Sequence, residues 1–281
     1  MNTGNRQGRL TIVGAGLQPG QMTLEAESHI RAADVVLLIL PTALAAHHVI
    51  SLNDNFINLL DLYENRTRPE TYKAMAEAIV EQVHQGRNTC VVAYGHPGVF
   101  VTPTHAVMRQ LQEQGYSVRM LPGISAEACL IADLGVDPAE HGWQSFEATS
   151  FLFTQQSVAP TAALILWQVG LTGEVSLKRF VPGERGIDAL ITCLQQWYPA
   201  DHRVCVYEAP ISPLEQARKE WVALDELNTV QFKEYSTLYV PPVHRATLID
   251  SRLEWLALNK SDLKGFEAVP AAPLSPWQNN N

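Results

Sequence analysis

The sequence predicts an α/β protein of two α/β domains, the first built on a mainly parallel sheet and the second on a mixed sheet. Its 281 residues, 46% hydrophobic and 17% charged, are enough for two ordinary cores. Short β-branched runs alternate with helical patterns in the first half, which is typical of βα units. After Pro122 strands outnumber helices, which favours a mixed sheet.

The apolar runs of the first half end in Gly- or Pro-containing turns that lead into helices. The predicted strands are Arg9–Val13, Val35–Leu40, Asn88–Tyr94 and Ser117–Leu121. The turns that follow include Gly14–Gly20, Gly95–Gly98 and Pro122–Ser125. Such turns at the carboxyl ends of parallel strands form a crevice where open α/β folds bind ligands. From the Tyr94–Phe100 stretch alone, an ordinary βα turn and a ligand site are equally good interpretations.

Capping residues predict where the helices begin. Thr23, Thr102 and Ser125 are expected N-caps, and Pro69 suits the first turn of a helix. That helix buries one face, because apolar residues recur at helical spacing. They are Tyr72, Met75, Ala76, Ile79, Val80 and Val83.

The second half carries four predicted strands and one predicted helix. The strands are Ser145–Thr149, Ala162–Val169, Arg203–Tyr207 and Ser236–Val240, and the helix is about Ile187–Trp197. We therefore expect one domain over residues 8–121 and another over 122–245. Residues 246–281 are expected to form a C-terminal helix and a Pro-rich, flexible tail.

Composition excludes several classes of function. The net charge of −9 leaves no basic excess for a general nucleic-acid binder. The four cysteines form no CxxC pair, and the polar start and short apolar runs predict neither a signal peptide nor a membrane span. The histidines lack spaced partners, so we expect no metal site. The sequence predicts a reduced, cytoplasmic protein.

A nicotinamide site is a weaker interpretation of the first glycine-rich turn. Three residues, not two, separate Gly16 from Gly20, and Asp34 begins the next strand instead of following it. In the second turn His96 could be a general base, but its neighbours Pro97 and Gly98 favour a residue that shapes the loop.

Several longer motifs resemble a known family. In order they are YGHPGVF, LPGISAEACLIADLGVDP, QSFEAT, LILWQVG, VYEAP and STLYVPP. The chain resembles the tetrapyrrole-methylase superfamily and, more closely, its borosin peptide backbone α-N-methyltransferases, over about residues 8–245. The superfamily's acidic Gly-Asp-Pro motif reads Gly95-His96-Pro97 here. The resemblance implies S-adenosylmethionine bound in a cleft between two domains, and repeated methylation of backbone amides in a ribosomally made precursor peptide.

The resemblance also implies the site residues. Its catalytic cluster falls on Tyr63, Arg68, Tyr72 and Tyr94. Its cofactor contacts fall on Tyr94, His96, Val99, Phe100, Ser125, Ala126, Gln168, Tyr207, Glu208, Ala209, Ser236 and Thr237. On burial alone Tyr72 is only the start of a buried helix face. With the resemblance, we expect Arg68 to hold Tyr72 as a proton acceptor, while Tyr63 and Tyr94 orient the peptide bond.

The resemblance implies a homodimer, and the tail predicts that the substrate is a separate chain. After Arg245 only Asp250–Leu258 is amphipathic, and Pro273 and Pro276 have no backbone N–H to methylate. We therefore expect a split system acting on a peptide in trans, with no nucleic-acid or membrane partner. The alternatives are a methyltransferase for a tetrapyrrole-like small molecule and a non-catalytic module that binds S-adenosylmethionine or peptide.

Overall fold

The computed structural model describes residues 7–64 and 66–263, which form two compact units. The first holds the residues up to Leu134 together with Ala209–Ala217, and the second holds the rest. The division after Leu134 lies beyond the boundary expected at Pro122. The physical reason is that Gly123 packs on the first unit, since a Cβ built there would lie 3.0 Å from the Gly95 carbonyl oxygen.

Five parallel strands form the sheet of the first unit. They are β1 (Arg9–Gly14), β2 (Val35–Ile39), β3 (Phe56–Asn58), β4 (Asn88–Ala93) and β5 (Ser117–Met120). Their order is β3-β2-β4-β1-β5. This confirms the four strands predicted here and the parallel sheet, and adds β3, which was not predicted.

The helices of the first unit are α1 (Leu24–Arg31), α2 (Ala43–Leu52), α3 (Arg68–His84), α4 (Thr102–Glu113) and α5 (Ala126–Leu134). Thr23 and Ser125 cap as predicted, accepting from the N–H groups of Ala26 and Ala128 at 3.1 and 3.4 Å. The cap predicted at Thr102 is wrong. Val101 is the N-cap of α4, and Thr102 is the first helical residue.

Helices cover both faces of this sheet because both faces of its strands are apolar. Leu10, Ile12 and Val91 point to the layer that contains α3 and α4. The alternate residues Val13 and Val92 point to the layer of α1 and α2. The unit is therefore a three-layer sandwich with its core on both sides of the sheet.

The strand order places a switch point between β1 and β4. The connection from β1 to β2 passes β4, and the connection from β4 to β5 passes β1 in the opposite direction. Connections that leave two neighbouring strands in opposite directions open a crevice outside their carboxyl ends. That crevice lies at Gly14 and Ala93, where the predicted turns begin.

The second unit is built on a mixed sheet, as predicted. Its elements are α6 (Pro138–His141), β6 (Trp143–Glu147), α7 (Ala148–Phe153), β7 (Ala163–Trp167), α8 (Gly186–Leu194), β8 (Arg203–Glu208), β9 (Arg218–Ala223), β10 (Thr237–Val240) and α9 (Asp250–Glu254). The strand order is β6-β7-β10-β8-β9, with only β6 and β7 parallel. Strand β9 was not predicted. The strand expected to run to Thr149 ends at Glu147, because the Glu147 carboxylate caps α7 by accepting from Thr149 and Ser150.

The second core lies on one face of this sheet. Leu164, Leu166 and Val206 pack there against Phe151 of α7 and Leu190 of α8. All four cysteines are free thiols; Cys90, Cys129 and Cys205 are buried, and Cys193 is partly buried. In the described residues, no helix has the length and apolar composition that a bilayer crossing needs. The Pro-rich part of the expected tail lies outside the described residues.

Candidate functional site

Three glycines bring the crevice backbones into direct contact. A Cβ on Gly14 would lie 2.2 Å from the Gly95 carbonyl oxygen and 3.3 Å from the Gly123 Cα. The Gly95 N–H donates to the Gly16 carbonyl at 2.9 Å, and Gly95 has a φ of 68°. The turns after β1, β4 and β5 therefore meet mainly through main chain, with Cδ of Pro97 also 3.0 Å from a Cβ on Gly14. This leaves backbone N–H and C=O groups to line the crevice.

The second turn is held by hydrogen bonds to its main chain. The Gly98 N–H donates to Nδ1 of His96 at 3.0 Å, so the neutral His96 ring carries its proton on Nε2. His105 Nε2 lies 2.8 Å from the Gly98 carbonyl oxygen, and Thr104 Oγ1 lies 2.7 Å from the carbonyl oxygens of both Pro97 and Val101. His96, expected to shape this loop, thus accepts a hydrogen bond from the loop's own main chain.

Apolar side chains stand exposed beside this turn. Val99 is 40% exposed, Phe100 48% and Ile124 37%. Phe100 has a φ of 56°, a left-handed conformation that is unfavourable for a bulky residue. Strained backbone and exposed apolar surface often mark ligand sites.

Gln21 joins the first turn to α5, and the sequence analysis missed it. Its Oε1 accepts from the Leu17 N–H at 2.8 Å, and its Nε2 lies 3.6 Å from Sγ of Cys129. Gln21 thereby contacts both the first turn and α5, the helix that begins at Ala126. Only its place directly after the Gly14–Gly20 turn could have singled it out.

Tyr63, Arg68 and Tyr72 come together at the start of α3. Tyr63 ends the 3₁₀ helix Leu59–Tyr63, and Arg68 and Tyr72 are one helical turn apart on α3. The two phenol rings pack edge to face, with centroids 6.5 Å apart and an interplanar angle of 85°. Between the 3₁₀ helix and α3, Arg66 Nη1 donates a hydrogen bond of 2.9 Å to the Leu62 carbonyl.

The environment of Tyr63 keeps its phenol protonated. Burial raises the pKa of Tyr63, and the hydrogen bond and charge interaction with Tyr72 raise it further, while the Arg68 guanidinium opposes the shift. Tyr63 is therefore suited to donate a hydrogen bond at neutral pH.

Tyr94 packs against a different layer from the other predicted catalytic residues. Its N–H donates to the Ile39 carbonyl at 3.1 Å, and its ring packs on the cluster shared with α1 and α2. Tyr63 and Tyr72 pack on the cluster of α3 and α4, across the sheet. The structure thus groups three of the four predicted catalytic residues and sets Tyr94 at the end of β4.

In the second unit, strand direction gathers predicted cofactor residues at one end of the sheet. Strand β10 runs antiparallel between β7 and β8, so its amino end meets their carboxyl ends. The residues gathered there are Gln168, Tyr207, Glu208, Ser236 and Thr237. Gln168 has a φ of 55°, and the Val169 N–H donates to the Ser236 carbonyl at 3.0 Å. Ala209 belongs to the first unit.

Glu208 is the centre of a buried polar cluster, which sequence reasoning did not predict. It is 4% exposed, and its carboxylate accepts from Ser236 Oγ at 2.7 Å and from Arg218 Nη1 at 2.6 Å. Lys233 Nζ lies 2.9 Å from the other carboxylate oxygen. Burial alone would raise the pKa of Glu208, but hydrogen bonds from Ser236, Lys233 and Arg218 hold it below its ordinary value.

Asp34 lies at the opposite end of the first sheet from the crevice. Its Oδ2 accepts from the Asn88 N–H at 2.7 Å, at the amino end of β4. This position excludes the ribose contact of a nicotinamide site. Within residues 7–64 and 66–263, no three His, Cys, Asp or Glu side chains are grouped so that they could hold a metal ion.

Comparison with a family model and with solved structures points in both cases to methylases. Residues 9–215 match the family model "Tetrapyrrole (Corrin/Porphyrin) Methylases". Two solved structures share the fold. They are uroporphyrin-III-C-methyltransferase from Thermus thermophilus and a cobalt precorrin-4 methyltransferase of cobalamin biosynthesis. The first has a TM-score of 0.61 and 18% identity, and covers 84% of this chain and 93% of its own. The second has a TM-score of 0.59 and 15% identity, and covers 85% of this chain and 97% of its own.

Several curated relatives are polypeptides named as both methyltransferase and peptide precursor. A type I borosin precursor of Coprinopsis marcescibilis is 37% identical over 97% of this chain and 71% of its own length. The omphalotin A precursor of Omphalotus olearius is 35% identical over 98% and 68%. A type III borosin precursor of Anomoporia bombycina is 36% identical over 99% of this chain, which spans only 33% of that relative.

Proposed function

The chain belongs to the tetrapyrrole methylase family, among the borosin peptide methyltransferases, and we propose that it methylates backbone amide nitrogens of a ribosomally made precursor peptide. Methylases of this family bind S-adenosylmethionine, whose sulfonium supplies an electrophilic methyl group when bound. The observation that carries the proposal is the Tyr63–Arg68–Tyr72 cluster at the start of α3.

The crevice of the first unit fits this methyl donor. The contact of Gly14, Gly95 and Gly123 leaves main-chain groups for its ribose and carboxylate oxygens. The exposed side chains of Val99 and Phe100 offer apolar surface to its adenine ring. We propose the remaining contacts as the resemblance implies them.

Methylation of an amide requires charge to be managed at its oxygen. The amide nitrogen is a poor nucleophile because its lone pair is delocalised into the carbonyl. As the N–H proton leaves, negative charge develops on the oxygen and needs a fixed donor. Arg68 supplies a planar cation, and the protonated Tyr63 supplies a hydrogen-bond donor. In our proposal Tyr72 accepts the amide proton as its phenolate and becomes the neutral phenol, and Tyr94 orients the peptide.

A tetrapyrrole-like substrate is less well supported. The acidic position of the superfamily's Gly-Asp-Pro motif is occupied by His96, and the Nδ1 atom of His96 already accepts from Gly98. The phenol and guanidinium groups at the start of α3 match the needs of an amide instead.

Replacing one phenol tests this assignment. We expect Tyr72→Phe to reduce kcat at saturating donor by roughly a hundredfold or more, because it removes the proton acceptor. Tyr116→Phe is the matched control, since Tyr116 packs on the same apolar cluster outside the trio. Tandem mass spectrometry of candidate peptides would locate increments of one methyl mass on backbone amides. Methyl transfer by Tyr72→Phe at the wild-type rate would rule out the acid–base role.

We propose that the precursor is a separate chain and that the enzyme acts on it repeatedly as a homodimer. Within residues 260–281, Pro273 and Pro276 have no backbone N–H and cannot accept a methyl group, so this segment is a poor acceptor. Mass spectrometry of the purified chain decides this, because backbone methyls within residues 260–281 would overturn it. Sedimentation equilibrium tests the dimer, and a monomer at assay concentration would refute it.

A further inference from the structure

Helix α4 holds the Gly95–Phe100 turn through a histidine that lies outside the YGHPGVF motif. Nε2 of His105 lies 2.8 Å from the Gly98 carbonyl oxygen. Because a carbonyl oxygen only accepts, Nε2 is the donor. From the other side the Gly98 N–H donates to Nδ1 of His96 at 3.0 Å. Two imidazoles thus hold the two peptide groups that flank the Gly98 Cα.

The turn packs directly on these rings. A Cβ at Gly98 would lie 3.4 Å from Nε2 of His105 and 3.3 Å from Cε1 of His96, so little space remains between the loop and the rings. Thr104 Oγ1, next to His105, lies 2.7 Å from both the Pro97 and the Val101 carbonyl oxygens and can donate its one proton to either. His105 therefore holds the Gly98 carbonyl, and Thr104 contacts the main chain on both sides of Val99.

The hydrogen bonds of His96 and His105 to Gly98 form a clamp on the turn. Next to this clamp lie the exposed Val99 and Phe100, whose backbone is in the left-handed conformation. An unfavourable backbone conformation persists only where neighbouring groups hold it. The donor bond of His105 is made to the carbonyl immediately before Val99. It therefore limits how the Val99–Phe100 segment can rotate.

We infer that His105 is a positioning residue of the methyl-donor site. Its Nε2–H fixes the Gly98 carbonyl and so presents the backbone of Val99 and Phe100 to the donor. It acts through the loop and not on the reacting atoms. That the ligand of this site is a methyl donor rests on the proposed function. The restraint that His105 places on the loop can be measured without any ligand.

Two amide variants separate the hydrogen bond from the bulk of the side chain. In His105→Gln the amide nitrogen can occupy the place of Nε2, and in His105→Asn the same group is one methylene too short. We expect the Asn variant to bind S-adenosylhomocysteine about five- to tenfold more weakly, as for loss of one hydrogen bond, and the Gln variant to stay within about twofold of wild type. The KM for S-adenosylmethionine should rise in parallel, with the KM for peptide unchanged at saturating donor. His47→Asn, on the exposed surface of α2, is the control.

Hydrogen exchange of residues 95–101 gives a readout that needs no cofactor. We expect faster exchange in the Asn variant alone. Equal affinities in the two variants, or equal exchange, would overturn the inference. If the wild-type protein binds no S-adenosylhomocysteine, the proposed function fails, while the exchange difference still decides whether His105 clamps the loop.

Discussion

Replacing Glu208 by Gln tests the buried cluster of the second unit. Gln keeps the size of the side chain and an acceptor for Ser236, but it removes the charge that faces Arg218 and Lys233. The perturbation is therefore electrostatic, with packing left almost unchanged.

The expected loss of stability depends on how far Arg218 and Lys233, the partners of Glu208, are exposed to solvent. Removing one member of a buried ion pair costs about 3–5 kcal/mol. Lys233 is 57% exposed, so water compensates much of its loss, and Arg218 keeps its bond to Glu220. We therefore expect a loss of about 2–3 kcal/mol in the free energy of unfolding, or a Tm lower by roughly 5–10 °C.

The dependence on pH identifies the charge as the cause. The folded-state pKa of Glu208 is lowered from 4.5, so its contribution is complete above that value and is lost as the pH falls through the folded pKa. The gap between wild type and variant should be constant from pH 7 to about pH 5.5 and should narrow below about pH 4.5.

Urea unfolding, followed by circular dichroism across this pH range, measures the difference in the free energy of unfolding between wild type and Glu208→Gln. Glu220→Gln is the control, because Glu220 is half-exposed and bonds the same arginine. We expect Glu220→Gln to lower the free energy of unfolding by less than about 1 kcal/mol. A Glu208→Gln variant as stable as wild type at pH 7, or a gap that stays constant below pH 4, would refute the reasoning.

Three further predictions concern the first unit. Gly14→Ala should leave little folded protein, because its Cβ would lie 2.2 Å from the Gly95 carbonyl oxygen; wild-type thermal stability would contradict this. Phe100→Gly should raise the free energy of unfolding by about 0.5–1 kcal/mol while weakening binding of S-adenosylhomocysteine, as calorimetry can show. Arg68→Lys should lower kcat at least roughly tenfold, since an ammonium lacks the planar donor fork, and unchanged kcat would exclude Arg68 from a role beside Tyr63.

Much of the fold was predictable because several strands, such as β2, β4 and β7, are largely apolar and buried. Strand β4 is buried along its whole length, so its sequence alone predicted it. The elements that were missed lie at sheet edges. Strand β3 has three residues, and β9, at the edge of the second sheet, begins with three charged residues before its three apolar ones. The intrinsic strand propensity of the residues predicts such strands poorly, because pairing with a neighbouring strand determines whether they form.

The sequence places candidate site residues together only where they are close along the chain. Tyr63, Arg68 and Tyr72 share one helix and the turn before it, and the family resemblance, not their spacing, singled them out. The cluster around Glu208 joins residues from β8, β9 and the loop before β10, which no local pattern reveals. The layer against which Tyr94 packs depends on the strand order, which one sequence does not fix.

The position of β10 has a consequence for synthesis of the protein. Thr237–Val240 is the last strand in sequence, yet it occupies the middle of its sheet and pairs with both β7 and β8. The first sheet is complete once Met120 has left the ribosome, whereas the second cannot close until Val240 has emerged. Until then β7 and β8 each present an unpaired edge. A nascent chain stalled before Thr237 would therefore carry one folded unit and one prone to aggregate.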